Sequence, residues 1–270
     1  IVTVAWLAFS LFGMLPFYLS GYIPSITNAF FETMSGFSST GATILNDIEK
    51  LPHGLLFWRS MTQWIGGLGI VFFTIAVLPI FGVGGIQVFA AEASGPTHDK
   101  VHPRIGITAK WIWGIYAGLT GTLIILLMFG GMNIFDSICH AFATTSTGGF
   151  STKQASIEYY HSPYIEYVIS IFMFISGINF TLLLLFVNGK LKKFVHDAEL
   201  KWYFWSVTGF TIVIAAILYY NSSMGVEEAF RKSLFQVASL HTSTGFATAD
   251  YMTWPAITWG MLTVIMIMGA

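Results

Sequence analysis

Three short polar stretches carry the residues best suited to chemistry. Ser38-Ser39-Thr40-Gly41 is followed by Ala42-Thr43. Thr145-Ser146-Thr147-Gly148 is followed by Gly149-Phe150, and Thr242-Ser243-Thr244-Gly245 by Phe246-Ala247. Carbonyl and hydroxyl oxygens bring dipoles without net charge, and a ring of backbone carbonyls can replace the water around a dehydrated monovalent cation. Glycine lets successive carbonyls face one way, because it accepts positive φ without a Cβ clash. A lone Ser-Thr-Gly means little. Three copies in matching surroundings, roughly 100 residues apart and so too widely spaced for a solenoid, mark a repeated unit whose loops line one ion pathway.

The elements that position these loops follow from composition. The 270-residue chain is 55% hydrophobic and only 9% charged, with mean hydropathy +0.71. Soluble domains carry about 25% charged residues, so the solvent here is a lipid bilayer. A net charge of −1 leaves no basic footprint for nucleic acid. The lone Cys139 excludes an intrachain disulfide framework and a multi-cysteine metal site.

Each loop follows a segment too short to span: Ser25 to Phe37, Asn133 to Thr144, and Val226 to Leu240. Spans are expected over Ile1 to Leu19, Leu55 to Phe81, Trp111 to Phe129, Tyr164 to Val187 and Trp202 to Tyr220, with a last apolar run opening at Pro255. The expected fold is an all-α polytopic membrane protein built of helix–pore-loop–helix repeats around a central pore, at 1–89, 90–187 and 188–270, the last truncated. The chain starts and stops inside apolar runs and reads as a fragment of a longer protein.

The connections 90–110 and 188–201 hold Lys100, Arg104, Lys110, Lys190, Lys192, Lys193 and Lys201. Basic excess marks the cytoplasmic side, so the loops are expected to enter from outside. Asp47, Glu49, Glu158, Glu227, Glu228 and Asp250 then lie at the outer mouth, where their charge could gather cations.

The loops occur together with Trp58-Arg59-Ser60-Met61-Thr62-Gln63-Trp64-Ile65-Gly66-Gly67-Leu68-Gly69, Ala91-Glu92-Ala93-Ser94-Gly95-Pro96 and Gly177-Ile178-Asn179-Phe180. In these motifs the whole chain resembles the Trk/Ktr/HKT potassium-uptake family, closest to the bacterial TrkH-type pore-forming subunit. The resemblance implies a potassium pore in the bacterial inner membrane, with four repeats around one axis. It also implies a homodimer resting on a ring of cytosolic nucleotide-binding regulatory subunits, with no organic cofactor. By analogy the filter residues are Thr40, Gly41, Thr147, Gly148, Thr244 and Gly245, flanked by Ser39, Ala42, Ser146, Gly149, Ser243 and Phe246. The family's fourth pore loop, its helices before the first repeat and its gating loop are absent here. Sodium permeation, or potassium–sodium co-transport, is the close alternative.

Other residues have plainer readings. Asp136 and His140 stand at i, i+4 and read as a polar outer helix face rather than a metal site. His241 is expected to hydrogen-bond behind the third loop, Glu32 to brace the first, and Asn179 to bond between helices. Lys190, Lys192 and Lys193 read as lipid-facing topology determinants. An intramembrane Ser/Thr enzyme would need a paired base. Only His140 and His241 are candidates, and no acid is evidently placed to orient either.

Overall fold

The computed structural model describes residues 2–69 and 105–269. The upper part of the Leu55 to Phe81 span, most of the connection 90–110, the Ala91 to Pro96 motif and the 89/90 boundary lie outside them. Among the described residues the regular structure is helical throughout.

Helix α1 (Val2–Gly13) and α2 (Leu15–Leu19) form the first apolar segment, with Pro16 at the start of α2. Proline lacks an N–H and favours a first turn, which accounts for the break. The short α3 (Ile26–Phe37) starts at Ser25, whose hydroxyl accepts from the Asn28 N–H. Helix α4 (His53–Gly67) follows the first loop. Helix α5 (Ile105–Phe129) leads to the short α6 (Ile134–Thr145), capped by the Asn133 side chain on the Asp136 N–H. After the second loop come α7 (Pro163–Ser176) and α8 (Phe180–Val187). Then α9 (Leu191–His196) and α10 (Ala198–Asn221) precede the short α11 (Val226–His241). Helix α12 (Ala256–Gly269) follows the third loop.

Lys110–Phe129 and Ala198–Asn221 are long and apolar enough to cross a membrane, at mean hydropathy 1.9 and 1.5. Phe12, Phe129, Trp202, Tyr220 and Ile267 are largely exposed. Large apolar side chains in this position belong against lipid.

The expected span from Tyr164 to Val187 is broken in two. It bends by 100° between α7 and α8. Asn179 starts the new helix after the bend: it caps α8 by accepting from the Thr181 N–H, which satisfies a helix-start donor. The structure thus gives it a capping bond in place of the expected interhelical one. A side chain at Gly177 would strike the Tyr203 hydroxyl and the Thr242 methyl.

Several apolar clusters hold the helices among the described residues, and three of them surround the short helices. One joins Phe17, Ala29, Leu51 and Leu55 of the first segment. Another joins Leu123, Ala141, Ile165, Ile169 and Met173 with Phe150 and Phe246 of the second and third loops. The last joins Ile214, Leu218, Val237, Leu262 and Ile265. Each short helix therefore sits against the long helices around it, and each loop leaves its end from a fixed point.

Candidate functional site

The three loops have one backbone design. Helices α3, α6 and α11 end in cap residues Ser38, Ser146 and Thr242. The next residue turns left-handed in each: Ser39 (φ 54), Thr147 (φ 51) and Ser243 (φ 55). Two residues further on, Gly41 (φ 76), Gly149 (φ 76) and Gly245 (φ 83) do the same. The N–H groups of Thr40 and Gly41 both point back to the Ser35 carbonyl. Those of Gly148 and Gly149 share Ala143, and those of Thr244 and Gly245 share Ser239.

This geometry corrects the register read from the letters. Gly149, not Gly148, is the counterpart of Gly41 and Gly245. Gly148 is the counterpart of Thr40 and Thr244, and Thr147 of Ser39 and Ser243. The repeated string slips by one residue because α6 ends one position later relative to it, and helix termination, not residue identity, sets the turn.

Because the loop N–H groups turn back to the helices, the oxygens are left over. Among the described residues no hydrogen bond engages the backbone carbonyls of Thr40, Gly41, Thr147, Gly149, Thr244 or Gly245. The threonine hydroxyls are otherwise occupied, while the buried Ser39 Oγ has no partner among the described residues. Thr40 pairs with Ser38 at 2.7 Å and Thr244 with Thr242 at 2.7 Å, while Thr147 donates to the Ser146 carbonyl. The free ligands common to all three loops are therefore backbone oxygens.

The loops also meet in rotation. A Cβ on Gly41 would run into the Gly148 carbonyl oxygen, and one on Gly149 into the Thr244 carbonyl oxygen. Gly148 and Thr244 are equivalent positions, so the same contact carries loop one to loop two and loop two to loop three. The helices behind repeat the relation. A Cβ on Gly67 of α4 would strike Ser146, the cap of the second loop, and one on Gly177 would strike Thr242, the cap of the third.

Buried side chains hold each loop from behind. Glu32 is fully buried. It accepts from Thr43 Oγ1 (2.8 Å), the Ile44 N–H (3.0 Å) and Arg59 Nε (2.7 Å), which is the bracing expected. Arg59 also donates to the Ser151 carbonyl at 2.9 Å and lies 3.6 Å over the Phe150 ring. His140 occupies the position in α6 that Glu32 has in α3. Its Nδ1 faces the Asp136 carbonyl at 2.8 Å and must donate there, so Nε2 accepts from Ser151 Oγ at 2.9 Å. Asp136 accepts from Thr152 Oγ1 at 2.6 Å. Both residues are buried, which overturns the outer polar face. Polar groups in lipid turn inward toward partners. Ser206 Oγ donates to the Tyr203 carbonyl, so His241 Nε2 donates to Ser206 Oγ at 2.8 Å, behind the third loop as expected.

Gln63 and Arg59 went unweighed in the sequence as braces. Gln63 donates to the Gly148 carbonyl at 2.5 Å and accepts from the Phe150 N–H at 3.0 Å. The available signal was a polar side chain inside an apolar span. Several of the acids that the sequence assigned to an outer mouth are paired: Asp47 with Lys50 (2.7 Å), Glu227 with Arg231 (2.8 Å) and Glu228 with Lys232 (2.8 Å). The hydrogen bond and charge of Asp47 push the Lys50 ammonium above its ordinary range. That pairing weakens the expected cation-gathering field. Among the described residues no cluster of His, Cys, Asp and Glu is arranged to hold a metal.

Short helices that end in loops at the middle of an apolar bundle, with unengaged carbonyls gathered from several loops, define the class of pore-loop membrane proteins. The chain belongs to the TrkH family, described as Cation transport protein, whose profile matches residues 1–270. It is 43% identical over 265 residues to the Trk system potassium uptake protein TrkH of Escherichia coli K12, covering 94% of this chain and 54% of that protein. The TrkH of Halomonas elongata is 40% identical over 258 residues, again covering 94% and 54%. The crystal structure of the potassium transporter TrkH from Vibrio parahaemolyticus superposes with TM-score 0.82 at 34% identity, covering 98% of this chain and 55% of that one. The chain spans about half the length of the relatives it matches.

Proposed function

We propose that this chain forms part of the pore of a potassium-uptake protein, with the carbonyl oxygens of residues 40–41, 148–149 and 244–245 as ion ligands. The observation that carries the reading is the rotating contact: glycine of one loop against the carbonyl of the next, with the neighbouring carbonyls unengaged. Such oxygens can replace the hydration shell of a monovalent cation. The C-terminal ends of α3, α6 and α11 add their partial negative charge, about 0.3–1 kcal/mol per helix. The potassium uptake named for the relatives supports K+ over the sodium or co-transport alternatives. No covalent step is involved, and family membership speaks against a Ser/Thr enzyme. His140 and His241 bond to Ser151 and Ser206, not to the left-handed loop residues.

The repeats at 1–89, 90–187 and 188–270 would stand around one axis, with a further loop between the third and the first. Gly245 has open space where Gly41 and Gly149 meet a carbonyl. The loops would open to the outside of a bacterial inner membrane and the connections 90–110 and 188–201 to the cytoplasm. A homodimer on a nucleotide-binding regulatory ring is the assembly that the resemblance implies.

The test is potassium uptake in uptake-deficient cells by the full-length protein, with and without Gly149→Ser. A side chain there faces both a φ of 76° and the Thr244 carbonyl. The expected result is uptake by the parent and a loss of preference for potassium over sodium of at least tenfold in the variant. Unchanged selectivity at normal uptake would place the pathway elsewhere.

A further inference from the structure

We infer that Gln63 is a positioning residue that sets ion selectivity by clamping the second loop from α4; the inference rests on the pore reading above. In the first and third loops the residue before the glycine is a threonine, and its hydroxyl pairs with the cap residue two positions back, Thr40 with Ser38 and Thr244 with Thr242. The second loop has Gly148 at this position and therefore has no such hydroxyl. Gln63 fills the space: a Cβ on Gly148 would collide with the Gln63 amide carbon, nitrogen and oxygen.

The amide grips both sides of Gly149. Its Nε2 donates to the Gly148 carbonyl (2.5 Å) and its Oε1 accepts from the Phe150 N–H (3.0 Å). Gln63 is fully buried, so water does not compete for these bonds. The Gly148 carbonyl is also the oxygen that a Cβ on Gly41 would meet. One side chain thus fixes the second loop and its spacing from the first. One turn earlier on α4, Arg59 holds the next residues of the same loop through Phe150 and Ser151.

Of the two junctions among the described residues, one carries the clamp. Gly67 and Gly177 stand in equivalent places against the caps of the second and third loops. By that register Gln63 corresponds to Met173 of α7, and Arg59 to Ile169. Both are apolar and pack in the cluster that contains Phe246. The junction between the first and second loops is therefore tied by directed hydrogen bonds, and that between the second and third by apolar packing. Hydrogen bonds fix a carbonyl's direction, whereas packing fixes only its distance. Discrimination between two cations of equal charge depends on that direction and spacing.

The experiment uses full-length protein in potassium-loaded and sodium-loaded proteoliposomes, read as the K+/Na+ flux ratio. Gln63→Met copies the side chain that α7 carries at this position. Gln63→Asn keeps the amide but is one methylene too short to reach both partners. Each is expected to lower the ratio at least fivefold while total cation flux stays within threefold of the parent. Met173→Leu, which removes no hydrogen bond, should leave the ratio unchanged. A parental ratio in either Gln63 variant would overturn the inference. So would failure of both to reach the membrane folded, which would make Gln63 a folding residue. A parent without potassium flux would sink the pore reading instead. Altered selectivity in Gly149→Ser with a normal ratio in Gln63→Met would sink only the clamp.

Discussion

Replacing Arg59 by methionine should destabilise the protein far more than removing its charge partner along with it. The guanidinium has three attachments: Glu32 Oε1 at 2.7 Å, the Ser151 carbonyl at 2.9 Å and the Phe150 ring at 3.6 Å. Side-chain exposure is 2% for Arg59 and 0% for Glu32. In Arg59→Met the Glu32 carboxylate stays buried with Thr43 Oγ1 and the Ile44 N–H as its remaining donors. Stripping one partner from a buried pair costs about 3–5 kcal/mol, because the surviving charge is uncompensated. In Glu32→Gln/Arg59→Met no charge remains, and neutral replacement of a whole pair is often close to neutral in stability. The coupling in a double-mutant cycle should therefore be at least about 2 kcal/mol. The assay is the heating series of the full-length protein in detergent, read by the fraction that stays monodisperse. At about 2–4 °C per kcal/mol for 150–250 residues, and about half that for a protein twice as long, Arg59→Met should fall roughly 3–10 °C below the parent. The double variant should recover at least half of that. A single variant within 2 °C of the parent would refute the buried-charge reasoning. A double variant as unstable as the single would refute the pairing.

Two further outcomes follow from close packing and from sidedness. Gly66→Ala should abolish most uptake, since its Cβ would press on the Phe37 backbone at the end of α3 and backbone cannot swing aside; overpacking of this kind costs about 1–3 kcal/mol or more. Gly54→Ala, in the same helix but facing open space, should be neutral or slightly stabilising in the same uptake assay, as alanine favours a helix by about 1 kcal/mol. For orientation, Cys139 is fully buried, so it should stay silent beside cysteines introduced in this chain. Asn46→Cys should react with an impermeant maleimide on intact cells and Lys192→Cys only after permeabilisation; the reverse pattern would invert the proposed topology.

The short helices and the loops behind them were legible because their signals are local. An apolar segment of about a dozen residues cannot cross a bilayer that needs about 20, and a polar Ser-Thr-Gly string at its end marks where the helix stops. The 100° bend between α7 and α8 was hidden for the opposite reason. Hydropathy averages over Gly177, Ile178 and Asn179, while the new helix after the break starts from one side chain satisfying one backbone donor. The burial of Asp136 and His140 was misread because i, i+4 polar pairs face water in soluble helices. In lipid the outward side is apolar, and the polar pair must find its partners inside.

The slip in the second loop has a deeper cause, and it bears on how such loops work. Thr-Ser-Thr-Gly occurs letter for letter at 145–148 and 242–245, so identity alone aligns Gly148 with Gly245. The backbone aligns them by where the chain turns back on the helix, at Ala143 and Ser239. Two adjacent glycines let the second loop satisfy both demands: Gly149 takes the left-handed turn, and Gly148 clears the space into which Gln63 reaches. A threonine at 148 would restore the hydroxyl pair of the other loops but collide with Gln63, and loss of Gln63 would leave the Phe150 N–H without its acceptor. The residue on α4 and the missing side chain in the loop are therefore one structural solution, and neither has a reason on its own.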